Sequence, residues 1–239
     1  MTQTRPAAPP VRLPEFGIEV PERVFRPRER TVEAPSRARR LRDGLASAGL
    51  RRPRVLRGAR TEQPFDAPVL HTPRLTLRPH RLTAQDAADW FDLQSDPAVR
   101  EFLPWPKRSR QESRRHLRDR TRHTRLWQAD DFLALAVDFE GRLVGDVSLH
   151  LRTVAATKRS VEVGWVVHPQ LVGRGLATEA AEALLSFAFG TVRARRALAV
   201  TDAQNRRSIA LAERLGFVET AGPRPAGAEA AFELAAPRE

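Results

Sequence analysis

What the chain lacks narrows the field before any motif is read. Its 239 residues include no cysteine, which excludes disulfides, thiolate catalysis, iron–sulfur clusters and cysteine-based zinc sites. There is no tyrosine, so no phenol is available as a proton donor. Only two lysines, Lys107 and Lys158, and one asparagine, Asn205, are present. The longest uninterrupted apolar run, Phe132 to Val137, is far too short to span a bilayer. No apolar leader stands at the N-terminus. A cytoplasmic protein with no membrane partner is expected. No His-Glu-x-x-His or similar ligand spacing occurs, so no metal is expected.

Arginine, by contrast, is plentiful. Lys and Arg number 41 against 29 Asp and Glu, a net charge of +12. Residues 1–68 hold 15 Arg and 8 acidic residues, so +7 of that charge lies there. A bias of Arg over Lys with almost no Asn follows from GC-rich coding as readily as from a nucleic-acid partner. The same segment carries 10 of the 19 prolines and few apolar residues. Such a stretch cannot bury enough surface to offset its chain entropy. Residues 1–67 are therefore expected to be a disordered Pro/Arg-rich tail, and 68–239 the folded domain. The tail is either an extension without a role or a basic arm for RNA, the ribosome or an acidic protein. Nucleic acid is expected, if at all, only there.

Beyond the tail the pattern is mixed α/β. Arg74–Arg78 alternates as a strand does. Thr83 suits an N-cap, with a helix over Ala84–Leu93. A highly charged helix is expected over Gln111–Leu126, with Arg114, Arg118, Arg122 and Arg125 on one stripe. That stripe is either a solvated face or an attraction for an acidic substrate. Trp105 and Trp127 could line the same side, though core packing is the commoner use. Phe132–Phe139 and Leu143–Leu151 read as strands joined by a turn at Glu140-Gly141, and Val161–Val167 as a third. Leu176–Phe189 is an amphipathic helix with Gly190 as its C-terminal cap. A strand over Ala197–Thr201, a helix over Ser208–Leu215 ended by Gly216, and a last strand over Phe232–Ala235 follow.

The densest signal is the passage from Val161 to Ala180. A buried strand runs into a turn holding Gly173 and Gly175, and the turn opens directly into a helix. Helix-start amides converge there at the positive end of the dipole, which makes an anion site suited to a diphosphate. Glycine lets those amides approach phosphate without a Cβ in the way. The spacing is Gln170-x-x-Gly173-x-Gly175, not that of a dinucleotide fold or a P-loop. It resembles the acetyl-CoA site of the GCN5-related N-acetyltransferase (GNAT) superfamily. Asn205-Arg-Arg-Ser208, followed by Leu215-Gly216-Phe217, resembles the second cofactor motif of that superfamily. Thr72-Pro-Arg-Leu-Thr-Leu-Arg-Pro79, Ser95-Asp-Pro97 and Phe102-Leu-Pro-Trp-Pro106 look like the ribosomal-protein-alanine (Rim-type) branch. The resemblance covers roughly residues 70–225.

The resemblance implies a mixed, mostly antiparallel sheet flanked by helices and splayed between two strands. It implies acetyl-CoA as cosubstrate and direct attack of an amine on its thioester. Trp165, Val166 and Val167 would lie beside the pantetheine arm, where a donor could polarise the thioester carbonyl. Gln170, Val172, Gly173, Arg174, Gly175, Leu176, Ala177 and Thr178 would hold the diphosphate, Arg174 reaching either solvent or a phosphate. Asn205 would bond the cofactor arm or hold the strand gap open; its alternative is a turn-forming cap. The proton donor common in the superfamily is a Tyr, and Ala212 stands at its position. Ser208 is the replacement chosen here, unless it only starts its helix. Glu162 is chosen as base, acting through water, unless it is simply ion-paired; His150 and His168 are the alternatives.

The acceptor is inferred more thinly. At pH 7 about 10% of an α-amine is neutral but only about 0.04% of a lysine amine. A site without a strong acid–base pair suits the former; together with the Rim-type resemblance this favours a protein N-terminus, with a small-molecule amine left open. The rival class is a catalytically idle fold whose basic tail binds RNA or the ribosome. Either a monomer or a homodimer fits.

Overall fold

The computed structural model describes residues 59–103, 105–220 and 229–237. The segment 1–58, most of the expected tail, lies outside the described residues. The described fold nevertheless begins earlier than residue 68. Arg60–Asp66 forms β1, which pairs antiparallel with β4 (Arg125–Gln128). Pro64 within β1 argues against a central strand but is compatible with this two-stranded edge. Phe65 and Leu126 anchor the pair in the main core.

Eight further strands form one sheet: β2 (Leu70–His71), β3 (Leu75–Pro79), β5 (Phe132–Phe139), β6 (Arg142–Thr153), β7 (Ser160–Val167), β8 (Arg196–Asp202), β9 (Val218–Glu219) and β10 (Glu229–Ala235). Their spatial order is β2-β3-β5-β6-β7-β8-β10-β9. All neighbours run antiparallel except β7 and β8, which are parallel. A parallel pair needs a crossover. Here it is a 3₁₀ turn (Pro169–Leu171) and the helix Leu176–Ser186.

The helices are α1 (Ala84–Ser95), α2 (Pro97–Arg100), α3 (Arg110–Arg120), α4 (Leu176–Ser186) and α5 (Arg206–Arg214). Thr83 caps α1 as expected, its side chain accepting from the Asp86 amide. The charged helix is shorter than its composition suggests. Ser109 starts α3 with a capping box completed by Glu112. The helix stops at Arg120, and Arg125, expected on the helical stripe, belongs to β4 and pairs with Asp66. The end of α4 also differs. Its last turn widens into a π turn over Phe187–Thr191, closed by the Val192 amide on the Phe187 carbonyl at 3.0 Å. The left-handed residue falls at Arg193, not at Gly190.

Strand alternation divides the side chains between two faces. Leu75, Leu77, Leu133, Leu135, Val147, Leu149, Val161 and Val163 point to the face covered by α4 and α5, where Leu176, Ala180, Leu184 and Leu211 complete a large apolar core. The opposite face carries α1 and α3. Its apolar cluster is small: Trp90, Leu93, Val99, Leu117, Ala136 and Leu143. Polar groups fill the remainder. Arg78 is held by Asp86 at 2.8 Å and Asp138 at 3.1 Å, and Asp89 takes Arg142 at 2.5 Å.

Candidate active site

The parallel pairing of β7 with β8 stops early. Ser160, Val161, Glu162 and Val163 face Arg196, Ala197, Leu198 and Ala199. Gly164 to Val167 stay paired with β6 on one side but have no β8 partner on the other. The corresponding part of β8 pairs only with β10. The sheet is thus opened along half of β7, leaving free main-chain groups at an internal edge. Opposite the opening, the tight contact of β6 with β7 depends on Gly145. A Cβ there would lie 2.4 Å from the Val166 carbonyl oxygen.

The chain leaves this open end through the 3₁₀ turn and reaches α4. Gly173 and Gly175 have φ of 85° and 77°, the left-handed region that glycine adopts without strain. A Cβ at Gly173 would meet nothing within 4 Å, so the loop is open on that side. The first amides of α4 precede the helical hydrogen-bond ladder and are left as donors. Four contacts brace this loop. Glu179 in the first turn of α4 accepts from Thr72 Oγ1 at 2.6 Å and from the Arg74 amide and Nε at 2.9 and 2.7 Å. Arg74 Nη1 in turn donates to the Arg174 carbonyl at 2.8 Å. Burial works to raise the Glu179 carboxyl, but the bonds from Thr72 and Arg74 outweigh it and hold it below its ordinary value. The Thr72-Pro-Arg74 motif therefore acts as a strut for the glycine loop.

The other expected site residues take definite places. Trp165 sits edge-on to Phe217 on the apolar face, and Val166 points to the opposite face. Leu176 is buried, and the Val172 side chain is 50% exposed. The Gln170 amide donates to His168 Nδ1, and Thr178 Oγ1 accepts from Arg214 on α5. The Arg174 guanidinium lies over the Phe139 ring at 4.9 Å. Asn205 is the N-cap of α5, its Oδ1 accepting from the Ser208 amide at 3.1 Å. That cap role settles which residue starts the helix: Ser208 sits one turn inside, and its hydroxyl has no hydrogen-bond partner among the described residues. Glu162 lies in the zipped half of β7 and accepts from Arg152 Nε at 3.1 Å. His150 stacks on Phe132 at 4.7 Å, and His168 caps the 3₁₀ turn beside Asp92.

A second group escapes sequence inspection. Asp146 on β6 is buried, with His80 Nε2 at 2.7 Å and Arg120 Nη2 at 2.6 Å on its two oxygens. Burial works to raise its carboxyl, yet Arg120 and His80 hold it below the ordinary range. Trp90 contacts His80, Trp105 and His116 at centroid distances of 5.2, 5.6 and 5.6 Å. Burial, with Arg120 and Arg108 nearby, pushes His116 down to about 3. It stays neutral and its Nδ1 accepts from Gln94 at 2.7 Å. Asp146 directly faces Val166 across the β6–β7 ladder, so this group adjoins the open half of β7.

Residues 74–218 match the acetyltransferase (GNAT) domain family. The chain belongs to the GNAT acetyltransferases. Among curated proteins it is 31% identical over 81 residues to "Putative ribosomal N-acetyltransferase YdaF" of Bacillus subtilis (strain 168). That stretch is 34% of this chain and 43% of YdaF, less than half of the relative. Among solved structures, the RimL ribosomal L7/L12 alpha-N-protein acetyltransferase, in complex with coenzyme A, is 16% identical with a TM-score of 0.57. The likeness covers 72% of this chain and 98% of that one. The microcin C7 self-immunity acetyltransferase MccE, in complex with acetyl-CoA and AMP, is also 16% identical. Its TM-score is 0.55 over 69% of this chain and 93% of that one. These identities speak for the fold, and the expected GNAT architecture is the one observed. Among the described residues no helix is long and apolar enough to cross a membrane.

Proposed function

We propose that this acetyltransferase takes its acetyl group from acetyl-CoA and passes it by direct attack to a primary amine, the acceptor being a protein N-terminal α-amine as in the Rim-type branch. The observation that carries the reading is the end of β7–β8 pairing at Val163, directly ahead of a glycine loop and the free amides of α4. A slender thioester with a diphosphate handle matches both halves of that arrangement. When bound, it supplies an activated acyl group with a thiol leaving group.

The chain's own residues have these roles. Main-chain groups of Trp165, Val166 and Val167 bond the arm's amides, and one donor there polarises the acyl carbonyl. Gln170 and the backbone from Val172 through Gly173, Arg174, Gly175, Leu176 and Ala177 to Thr178 hold the diphosphate. Asn205 spends its Oδ1 on the α5 cap, which leaves its amide nitrogen for the arm. The unengaged Ser208 hydroxyl delivers a proton to the departing sulfur. Glu162, through water, takes one from the amine. A thiol of ordinary pKa near 8.5 leaves readily, so the demand on Ser208 is modest.

Calorimetry with acetyl-CoA, followed by thiol release with peptides offering an α-amine or only a lysine amine, tests the reading. Binding and faster turnover of the α-amine peptide are expected. Ser208→Ala should lower kcat by about 100-fold or less with acetyl-CoA affinity kept. Absence of binding at millimolar acetyl-CoA overturns the proposal. An unchanged kcat in Ser208→Ala removes that residue from it.

A further inference from the structure

The group around Asp146 is short of acceptors. Tryptophan and arginine nitrogens can only donate. Among the described residues, five buried side-chain polar atoms have no hydrogen-bond partner: His80 Nδ1, Trp90 Nε1, Arg108 Nη1, Arg120 Nε and Arg100 Nε. The first four lie in this one cluster; those of Trp90, Arg108 and Arg120 are donors, whereas His80 Nδ1 donates or accepts according to its tautomer. A donor buried without an acceptor is costly, so the three donors of Trp90, Arg108 and Arg120 call for a group that completes them. The charges point the same way. Arg108 and Arg120 each carry a full positive charge, His116 is neutral, and Asp146 already serves both Arg120 and His80. Arg108 has no ion pair among the described residues. Its nearest acidic neighbour in electrostatic terms, Glu112, is engaged in the α3 capping box with Ser109. Asp119, the other acid near His116, is exposed and lies against His123.

Position gives the deficit a meaning. Asp146 faces Val166, and Val166 packs against the Trp90 cluster. The unmatched donors therefore adjoin the open half of β7 from the face opposite α4. An acceptor amine approaching an acyl group held along β7 would meet them there. Arg114, Arg115 and Arg118 are exposed on α3 and add to the positive field over this face.

We propose that Arg108, Arg120 and Trp90 Nε1 form a carboxylate-binding subsite for the acceptor, so that the preferred amine carries a carboxylate a few bonds away. The proposal rests on the acetyl-transfer reading of the cleft and names its substrate class. Two sources offer the same chemistry: an acidic side chain beside a peptide's N-terminal residue, or the α-carboxylate of a free amino acid.

Two measurements on the full chain test it. In the first, succinate and neutral succinamide are titrated while tryptophan fluorescence is read, since Trp90 and Trp105 border the subsite. Succinate should saturate and succinamide should not. Arg108→Gln should weaken succinate by about tenfold or more, and Arg108→Lys by less, both with unchanged circular dichroism. No response to succinate, or equal affinity in Arg108→Gln, overturns the subsite. In the second, thiol release is compared for Ser-Asp-amide against Ser-Asn-amide, and for free serine against serinamide. The acid should win by about tenfold or more in kcat/KM in one pair, which identifies the source. Arg108→Gln should bring that ratio close to one, mainly through KM. Equal rates for acid and amide in both pairs overturn the substrate assignment. Turnover of no amine at all, with succinate still bound, overturns the acetyl-transfer reading instead and leaves the anion site standing.

Discussion

The two faces of the central sheet are made of different materials. The face under α4 and α5 is aliphatic, and its functional elements are main chain: an unpaired stretch of β7, a glycine loop and a helix start. The face under α1 and α3 is built from side chains, with buried arginines, histidines and carboxylates around a handful of apolar residues. A main-chain site recognises what every acyl donor of one kind has in common. A side-chain site can be altered residue by residue, so on the proposed reading this face is where the acceptor is chosen.

Gly173→Glu strikes the main-chain half hardest. Its φ of 85° disfavours any side chain, and a carboxylate beside the α4 amides competes with a diphosphate. Calorimetric binding of acetyl-CoA should disappear, while succinate binding on the other face should stay as in the parent. Loss of both would erase the division between the faces.

A pH series sharpens the contrast from the polar side. Folded His116 is held down near 3, whereas the unfolded side chain titrates near 6.5. Between those values the unfolded chain takes up a proton that the folded chain refuses. Stability therefore falls as pH drops below about 6.5, by roughly 2 kcal/mol at pH 5. His116→Gln should flatten that part of the curve in chemical denaturation, and an unaltered slope would show that the imidazole is not sealed in.

The smallest effect concerns the one asparagine. Asn205→Ala removes the α5 cap and should cost about 1 kcal/mol in thermal or urea unfolding. Restoring that loss with Asn205→Asp, while acetyl-CoA still binds less well than in the parent, would separate the amide nitrogen's role from the cap.

Legibility in the sequence follows the same division. The strand Phe132–Phe139 was readable residue for residue, because a buried central strand is a short apolar run bounded by turn residues. The glycine loop was readable because main-chain sites need particular residues in a row. Asp146, His80 and Arg120 were not, because His80 and Asp146 stand 66 positions apart and meet only through the β3-β5-β6 register. Trp90, Arg108 and His116 carry no local pattern that marks them, because they stand on separate segments and meet only in the fold. The end of α3 at Arg120 and the strand β1 were missed for a related reason. Each is decided by pairing with a distant partner, against a local charge pattern or a local proline. The strut from Thr72 and Arg74 to Glu179 uses residues of a motif legible in the sequence, but its mechanical purpose shows only in three dimensions.

The opening beside β7 is a wedge, closed at Val163 and free for only four residues beyond it. Four extended residues span about 13 Å. A strand borrowed from another molecule has no clear entry lengthwise, since β7 and β8 remain joined at the apex. Unsatisfied sheet edges ordinarily invite fibrous self-association. This vacancy lies between two strands rather than at the rim, and on the proposed reading it admits a thin guest where a whole extra strand would not fit.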